Sequence, residues 1–446
     1  MPDVVRRLRI TRREARLLAL LLVLGFALRV AFVVATHGHQ LLGDELEYDS
    51  EGRFIADGHW FWTLAPTGVP HAGMWKVPVY PAFVGVLYKV LGEHPDRVLL
   101  VQTLIGPVTI FLTWVLARRL FGTRAAFVAA ALVAICPFAW QFEVRLLAES
   151  IVTPLTLLFM IVLVERPLTR RRVVLVGVVL GAIILTRPSA VYLVPVVAVA
   201  FVLAGGLRRG ALSTAAALAV TVLVVAPWVV RNHSVSGAWV LSTQDVAPYG
   251  TFNDDSANDP ETPYAWRIHN RRDARVLARA RQLGELGLRN RLRHNTVEWI
   301  KDHPFSVVEA FYWNGLTRLW DVRRPHHPLN EARYSGRPRW FAAIGLATYW
   351  LALPFALFAL WTLRRRVAVF LPFVVLALSA SVVFSAEAET RYRAPFDPLV
   401  AVLAGFGAVT AWNSVRRRRG LPPLPPGEAH RARDSSAQAD PATRVA

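Results

Sequence analysis

The stretch LLALLLVLGFALRVAFVVATHGHQLLGDELEYDSEGRFIADG, residues 17–58, decides how this chain is read. Its first twenty positions form an apolar run, long enough as a helix to cross about 30 Å of hydrocarbon. Its last eighteen, residues 41–58, hold six carboxylates. The chain thus places Asp44 and Glu45 side by side just where it leaves an apolar span. Whether they are solvated loop acids or working groups depends on which side they face and what else faces it.

The rest of the chain repeats the apolar theme. Of 446 residues, 54% are hydrophobic and 18% charged, where a soluble protein would carry nearer 25% charge. Mean hydropathy is +0.36. These figures imply an all-α polytopic membrane protein. The net charge of +20 would invite a nucleic-acid reading in a soluble protein. Here most arginines sit in short blocks between apolar segments, where they orient helices, so no nucleic-acid partner is expected; the others lie in one long loop and suit membrane lipid headgroups. The lone cysteine, Cys136, excludes an intramolecular disulfide.

Ten crossings are expected, near residues 17–36, 97–117, 125–143, 147–164, 173–187, 188–204, 211–229, 340–362, 367–385 and 395–413. The run VPVYPAFVGVLYKVL, residues 77–91, is too short for a span and is read as an interfacial or re-entrant helix. With the N-terminus inside, arginine blocks at 6–16, 118–124, 166–172, 208–209, 364–366 and 416–419 all fall on the cytoplasmic side. The short opposite turns offer only Arg145, Arg187, Arg391 and Arg393. That bias places both termini in the cytoplasm of a multi-pass protein of the bacterial plasma membrane. The first helix is taken as uncleaved. The chain divides into a cytoplasmic arm (1–16), a transmembrane domain (17–413) with outer loops at 37–96 and 231–339, and a disordered cytoplasmic tail (414–446). Within the second loop, VEWIKDHPFSVVEAFYWNGLTRLW, residues 297–320, is amphipathic and expected along the membrane surface.

In this topology Asp44 and Glu45 stand at the outer interface, as do Arg187, Arg231, Arg391 and Arg393. Charges held at a bilayer edge are costly and argue for function. A carboxylate beside guanidinium groups can deprotonate a hydroxyl while a phosphate leaving group is neutralised. An ordinary aspartate, with a pKa of about 3.9, is already ionised at neutral pH and need only be positioned.

A set of ordered blocks carries a resemblance. GDELEYDSEGRFIADG (43–58) with the following VPVYPAFVGVLYKVLG, then VQTLIGPVTIFLTWVLARRLFG, PFAWQFEVRLLAES, ILTRPSAVYLVP, PWVVRNHSVSGAWVLSTQDVAPYGTFND and ETRYRAPFDPLVAVLAGFG resemble the GT-C membrane glycosyltransferases. That superfamily includes the protein O-mannosyltransferases and lipid A aminoarabinose transferases, and the blocks span roughly residues 20–410. The resemblance implies a cell-envelope enzyme, hexosyl- or pentosyltransferase, that moves sugar from a polyprenyl-phosphate carrier to a glycan, lipid or protein acceptor with inversion. It implies Asp44 as general base, Glu45 in support, and Glu149 near the same cavity. Arg391, Arg393, Arg231 and Arg187 are candidates for the donor phosphate. The outer segment 231–339 departs from the pattern, being larger than a connection and smaller than a large appended domain.

Smaller signals add less. Lys76, before the VPVYP block, is either a phosphate contact or a snorkelling interfacial lysine. His326 and His327, with His303 some twenty residues earlier, lack zinc-site spacing. A divalent magnesium or manganese ion stays open at Asp44 and Glu45, whose oxygens suit either. No nucleotide-binding pattern occurs. The alternative function, a flippase or transporter of lipid-linked sugar, would call for paired broken helices or related halves, and none is evident.

Overall fold

The computed structural model describes residues 10–165, 167–267, 270–334, 336–363 and 390–422. The expected crossing at 367–385 lies outside the described residues, as do residues 1–9 of the arm and 423–446 of the tail.

The architecture is helical. In chain order the helices are α1 (Arg12–Ala35), α2 (Asp44–Ala56), α3 (Val79–Leu91), α4 (Pro95–Gln102), α5 (Ile105–Phe121), α6 (Thr123–Ile135), α7 (Glu149–Leu163), α8 (Arg170–Ile184) and α9 (Val194–Ser236). There follow α10 (Asp254–Ala257), α11 (Ala274–Ala278), α12 (Ala280–Asp302), α13 (Ser306–Ala310), α14 (His326–Tyr334), α15 (Arg339–Leu363) and α16 (Asp397–Arg418). One antiparallel pair of two-residue strands, β1 (Trp62–Thr63) and β2 (His71–Ala72), is the only sheet among the described residues.

Five described helical stretches are long and apolar enough to cross a membrane: Arg12–Ala35, Pro95–Phe121, Pro188–Ser236, Arg339–Leu363 and Thr390–Arg418. Shorter apolar helices, α3, α6 and α7, pack among them. The two expected crossings at 188–204 and 211–229 run into α9, broken at Gly206. Side chains such as Val23, Leu207, Leu223 and Leu351 remain exposed on the outside of the bundle, as a hydrocarbon solvent allows. Inside it, Trp114, Phe159, Tyr349 and the alanine rows of α6 and α16 form one continuous core.

The sequence reading ran α6 to residue 143, but the helix stops at Ile135 because Pro137 has no N–H to continue it. After one 3₁₀ turn at Pro137–Ala139, residues 140–148 are non-helical yet buried. Their carbonyls find partners: Gln102 Nε2 donates to Glu143 O at 2.6 Å and to Arg145 O at 2.7 Å. This irregular stretch lies at the end of the bundle where α2, α7 and the 390–396 turn also meet, and Phe32, Tyr80, Trp140, Phe142 and Phe341 make a second core beneath it.

The segment 231–339 is more than a connection. Val246, Tyr249, Leu288 and Leu292 form one small core within it and Phe252, Tyr264 and Trp299 another, so it folds as a helical cap. Its exposed apolar residues cluster at Phe305, Val308, Tyr312, Trp313 and Leu316.

Candidate active site

Gly43 precedes α2 with φ at +57°, a conformation that costs glycine little. The turn makes Asp44 the first helical residue and puts Asp44, Glu45 and Glu47 in the first turn, where unpaired N–H groups favour negative charge. The helix then lies tightly on α3. A Cβ on Gly85 would come within 2.4 Å of Ile55, so only glycine allows this approach.

Tertiary contact makes Asp44 one member of a row of alternating charge. Lys76 Nζ lies 2.6 Å from Asp44 Oδ1 and 2.6 Å from Glu47 Oε2. On the other side Arg391 Nη2 donates to Asp44 Oδ2 at 2.6 Å, while its Nε donates to Glu149 Oε1 at 2.7 Å. Arg187 Nη1 completes the row on Glu149 Oε1 at 2.5 Å. The order is Glu47, Lys76, Asp44, Arg391, Glu149, Arg187: three carboxylates and three cations. Five separate segments supply them, because α2, α7 and α16 begin, and α8 ends, at the same end of the bundle.

The row is accessible mainly at two of its carboxylates, Asp44 and Glu47, the latter keeping 29% of its side-chain surface. Asp44 keeps 25% of its side-chain surface, whereas Lys76 keeps 3% and Glu149 1%. Burial alone would push the Asp44 carboxyl up, but Lys76 and then Arg391 outweigh it and hold the group well below the usual carboxylate range. Glu47 is shifted the other way: burial raises it, and Lys76 only partly offsets this. Glu51, one turn further along α2, is pushed up to about 8 by burial despite Lys76.

Of the residues expected at the site, Asp44, Lys76, Glu149, Arg187 and Arg391 are brought together. Three are held elsewhere. Glu45 is buried with Arg145, whose Nη2 donates to Glu45 Oε2 at 2.5 Å, and it accepts Leu146 N–H at 3.0 Å. Successive residues on a helix point about 100° apart, so the two acids of the pair cannot share one site. Arg393 is locked between Asp397, at 2.6 Å, and Leu319 O, at 2.9 Å, with its guanidinium 3.8 Å from the Tyr349 ring centroid. Arg231 donates to Gly73 O and Phe61 O and bears on Trp228, so it braces the loop.

The separation of Asp44 from Glu45 bears on the divalent ion expected at that pair. Both Asp44 oxygens already face cations, Glu45 points to Arg145, and no cluster of three His, Cys, Asp or Glu with metal-holding geometry occurs among the described residues. These donors do not fit magnesium or manganese at the expected pair. His326 and His327 lie against each other, with ring centroids 4.1 Å apart and the rings tilted by 35°.

Other residues of the neighbourhood escaped the sequence reading. Glu47 had a signal, since it lies three positions after Asp44 on one helix face. Glu285 had none. This buried acid of α12 accepts Met74 N–H at 3.1 Å, Thr243 Oγ1 and His71 Nε2 at 3.0 Å. It pins the loop that ends in Lys76, two hundred residues away in sequence. The Glu285 contact raises the His71 pKa.

Residues 71–230 match the family described as dolichyl-phosphate-mannose-protein mannosyltransferase. No curated protein sequence matches the chain. Among solved structures, the oligosaccharyltransferase AglB of Archaeoglobus fulgidus, in complex with an inhibitory peptide and a dolichol-phosphate, aligns with a TM-score of 0.52 at 14% identity. That alignment covers 96% of this chain but 54% of AglB, so the chain spans about half the length of its structural relative. ArnT of Cupriavidus metallidurans aligns in its apo state with a TM-score of 0.42 at 16% identity, covering 90% and 79%. The undecaprenyl-phosphate-bound ArnT gives 0.38 at 18%, with the same coverage. The chain is a polytopic membrane protein that shares its fold with AglB over most of its own length, and its residues 71–230 resemble the dolichyl-phosphate-mannose-protein mannosyltransferase family.

Proposed function

We propose that the chain is an inverting glycosyltransferase that moves a sugar from a polyprenyl-phosphate donor to an acceptor hydroxyl on the outer face of the membrane. One observation carries the reading: Arg391 joins Asp44, an accessible carboxylate, to the buried Glu149, with Lys76 and Arg187 flanking them.

The row is electrically balanced, and its cations suppress Asp44 as a base. An arriving phosphodiester competes for Arg391 and Arg187, and each contact it takes loosens the hold on Asp44. The carboxylate then accepts the proton of the acceptor hydroxyl as that oxygen attacks the anomeric carbon. The bond from that carbon to the phosphate oxygen breaks on the opposite face, which inverts the centre. The electron pair leaves on the carrier phosphate, and Arg391 and Arg187 stabilise the charge as it develops. Glu149 holds both guanidinium groups in place. Beside Arg187 a shallow cleft lined by Val152, Ile183, Tyr192, Leu193 and Phe396 offers the polyprenyl chain an apolar surface. The AglB structure was solved with a dolichol-phosphate, which is consistent with a lipid phosphate in this fold.

The test is transfer of radiolabelled sugar from a polyprenyl-phosphate donor to envelope acceptors by the chain in proteoliposomes. Label should move to acceptor with the parent chain. Movement of intact donor across the bilayer without transfer would instead support a flippase.

A further inference from the structure

Residues 271–294, RRDARVLARARQLGELGLRNRLRH, carry eight arginines against two carboxylates. Both acids, Asp273 and Glu285, are buried. Two of the arginines are answered from outside the stretch, Arg271 by Asp255 at 2.7 Å and Arg289 by Asp245. Arg272, Arg275, Arg279, Arg281, Arg291 and Arg293 are exposed and form no ion pair among the described residues. Like charges this dense along 22 residues repel one another, which destabilises the fold unless something meets them; Arg272 alone is partly answered, by Asp273 and Glu298.

Two further observations say what meets them. The first is position. The buried stripe of α12, Glu285, Leu288, Leu292, Thr296 and Trp299, faces the rest of the chain, and Glu285 grips the loop leading to Lys76. Arg291 and Arg293 lie off that stripe, on the same helix whose Glu285 grips the loop. The second is polarity. Among the described residues no large apolar side chain is exposed between 240 and 296; Val297 stands alone at the end of that stretch, whereas Phe305, Val308, Tyr312, Trp313 and Leu316 are exposed together further on. A helix lying on a bilayer needs an apolar face. The 305–316 stripe has one and the arginine surface does not. It also lacks apolar anchors that would grip peptide side chains.

We propose that the arginine surface of residues 272–293 binds an anionic polysaccharide, a chain with repeated phosphate or carboxylate groups, and presents it to Asp44 as the acceptor. This names the acceptor class within the glycosyltransferase reading and rests on it. Association is by counterion release, so affinity falls steeply with salt.

The experiment uses the full chain in phosphatidylcholine nanodiscs, titrated with fluorescent polygalacturonate and with polyphosphate, which separate carboxylate from phosphate. Neutral dextran, polyglutamate and phosphatidylglycerol vesicles are the comparison arms. Two pairs of substitutions, R275Q/R281Q and R291Q/R293Q, are made separately, with thermal melting as the folding check. The expected result is salt-sensitive binding of at least one anionic polysaccharide probe, weakened at least tenfold by each folded pair, with no dextran binding. Equal affinity of parent and folded variants overturns the proposal, as does tighter binding to polyglutamate or to the vesicles. Binding of polyprenyl phosphate is measured on the same discs. If the donor binds and the polyanions do not, only the acceptor surface fails; if the parent does not bind the donor, the glycosyltransferase reading itself fails.

Discussion

Arg391 and Asp44 lie 347 positions apart in the chain and meet at 2.6 Å, guanidinium to carboxylate. The same guanidinium holds Glu149 through its Nε. A single arginine thus joins the accessible acid to the buried one, and four predictions turn on this contact and its surroundings.

Replacing Asp44 by Asn removes the proton acceptor and leaves the shape of the row intact. Transfer should fall about 10²–10⁴-fold, the range for loss of a general base. Donor binding should hold or tighten, because Lys76 and Arg391 lose a competing carboxylate. Equal rates for parent and variant in the proteoliposome assay would remove Asp44 from the mechanism.

Arg391→Lys keeps the charge but not the fork, and one ammonium cannot span both carboxylates with the same geometry. One charge-assisted hydrogen bond is worth about 1.5–3 kcal/mol, which corresponds to roughly a ten- to hundredfold loss in kcat/KM. Most of it should appear in KM for the donor, and steady-state kinetics over donor concentration would separate the two constants.

Glu45 acts on stability. It is the partner of a buried guanidinium, and removing one member of such a pair costs about 3–5 kcal/mol. Glu45→Ala should therefore lower the melting temperature strongly, whereas Glu45→Gln, which keeps an acceptor for Leu146 N–H, should lower it less. A variant that melts like the parent would contradict the Arg145 pairing.

Glu51 should make the chain less stable in alkali. Its folded pKa is raised to about 8 from an ordinary 4.5, so the folded state binds the proton more tightly than the unfolded one. Below pH 4.5 both states are protonated and nothing is lost. As pH rises from 4.5 to 8 the unfolded state ionises first, and stability falls until the folded carboxyl also ionises. Glu51→Gln removes this slope, so its melting temperature should exceed that of the parent by more at pH 8 than at pH 5.

Much of this chain could be read before folding it. The spans at 17–36, 340–362 and 395–413 correspond closely to α1, α15 and α16, because a twenty-residue apolar run in a chain of this composition has few other uses. Boundaries failed where proline decided them, as at Pro137, since hydropathy does not register a missing N–H. At the site, candidates were visible as charges beside apolar runs, but their pairing was not. Arg391 and Arg393 carry the same signal two positions apart, yet one meets Asp44 and the other is sealed against Asp397 and Tyr349.

By itself the sequence determined a helical membrane protein with acids and arginines at the ends of its spans, because burial in hydrocarbon depends on composition over a window and needs no knowledge of neighbours. Only the tertiary structure decided that Glu47 and Lys76 join Asp44, that Glu45 leaves it, and that Glu285 reaches back to the loop bearing Lys76. Those outcomes depend on the rotation and register of packed helices. Contact energies between side chains far apart in the chain set both, and no local pattern encodes them.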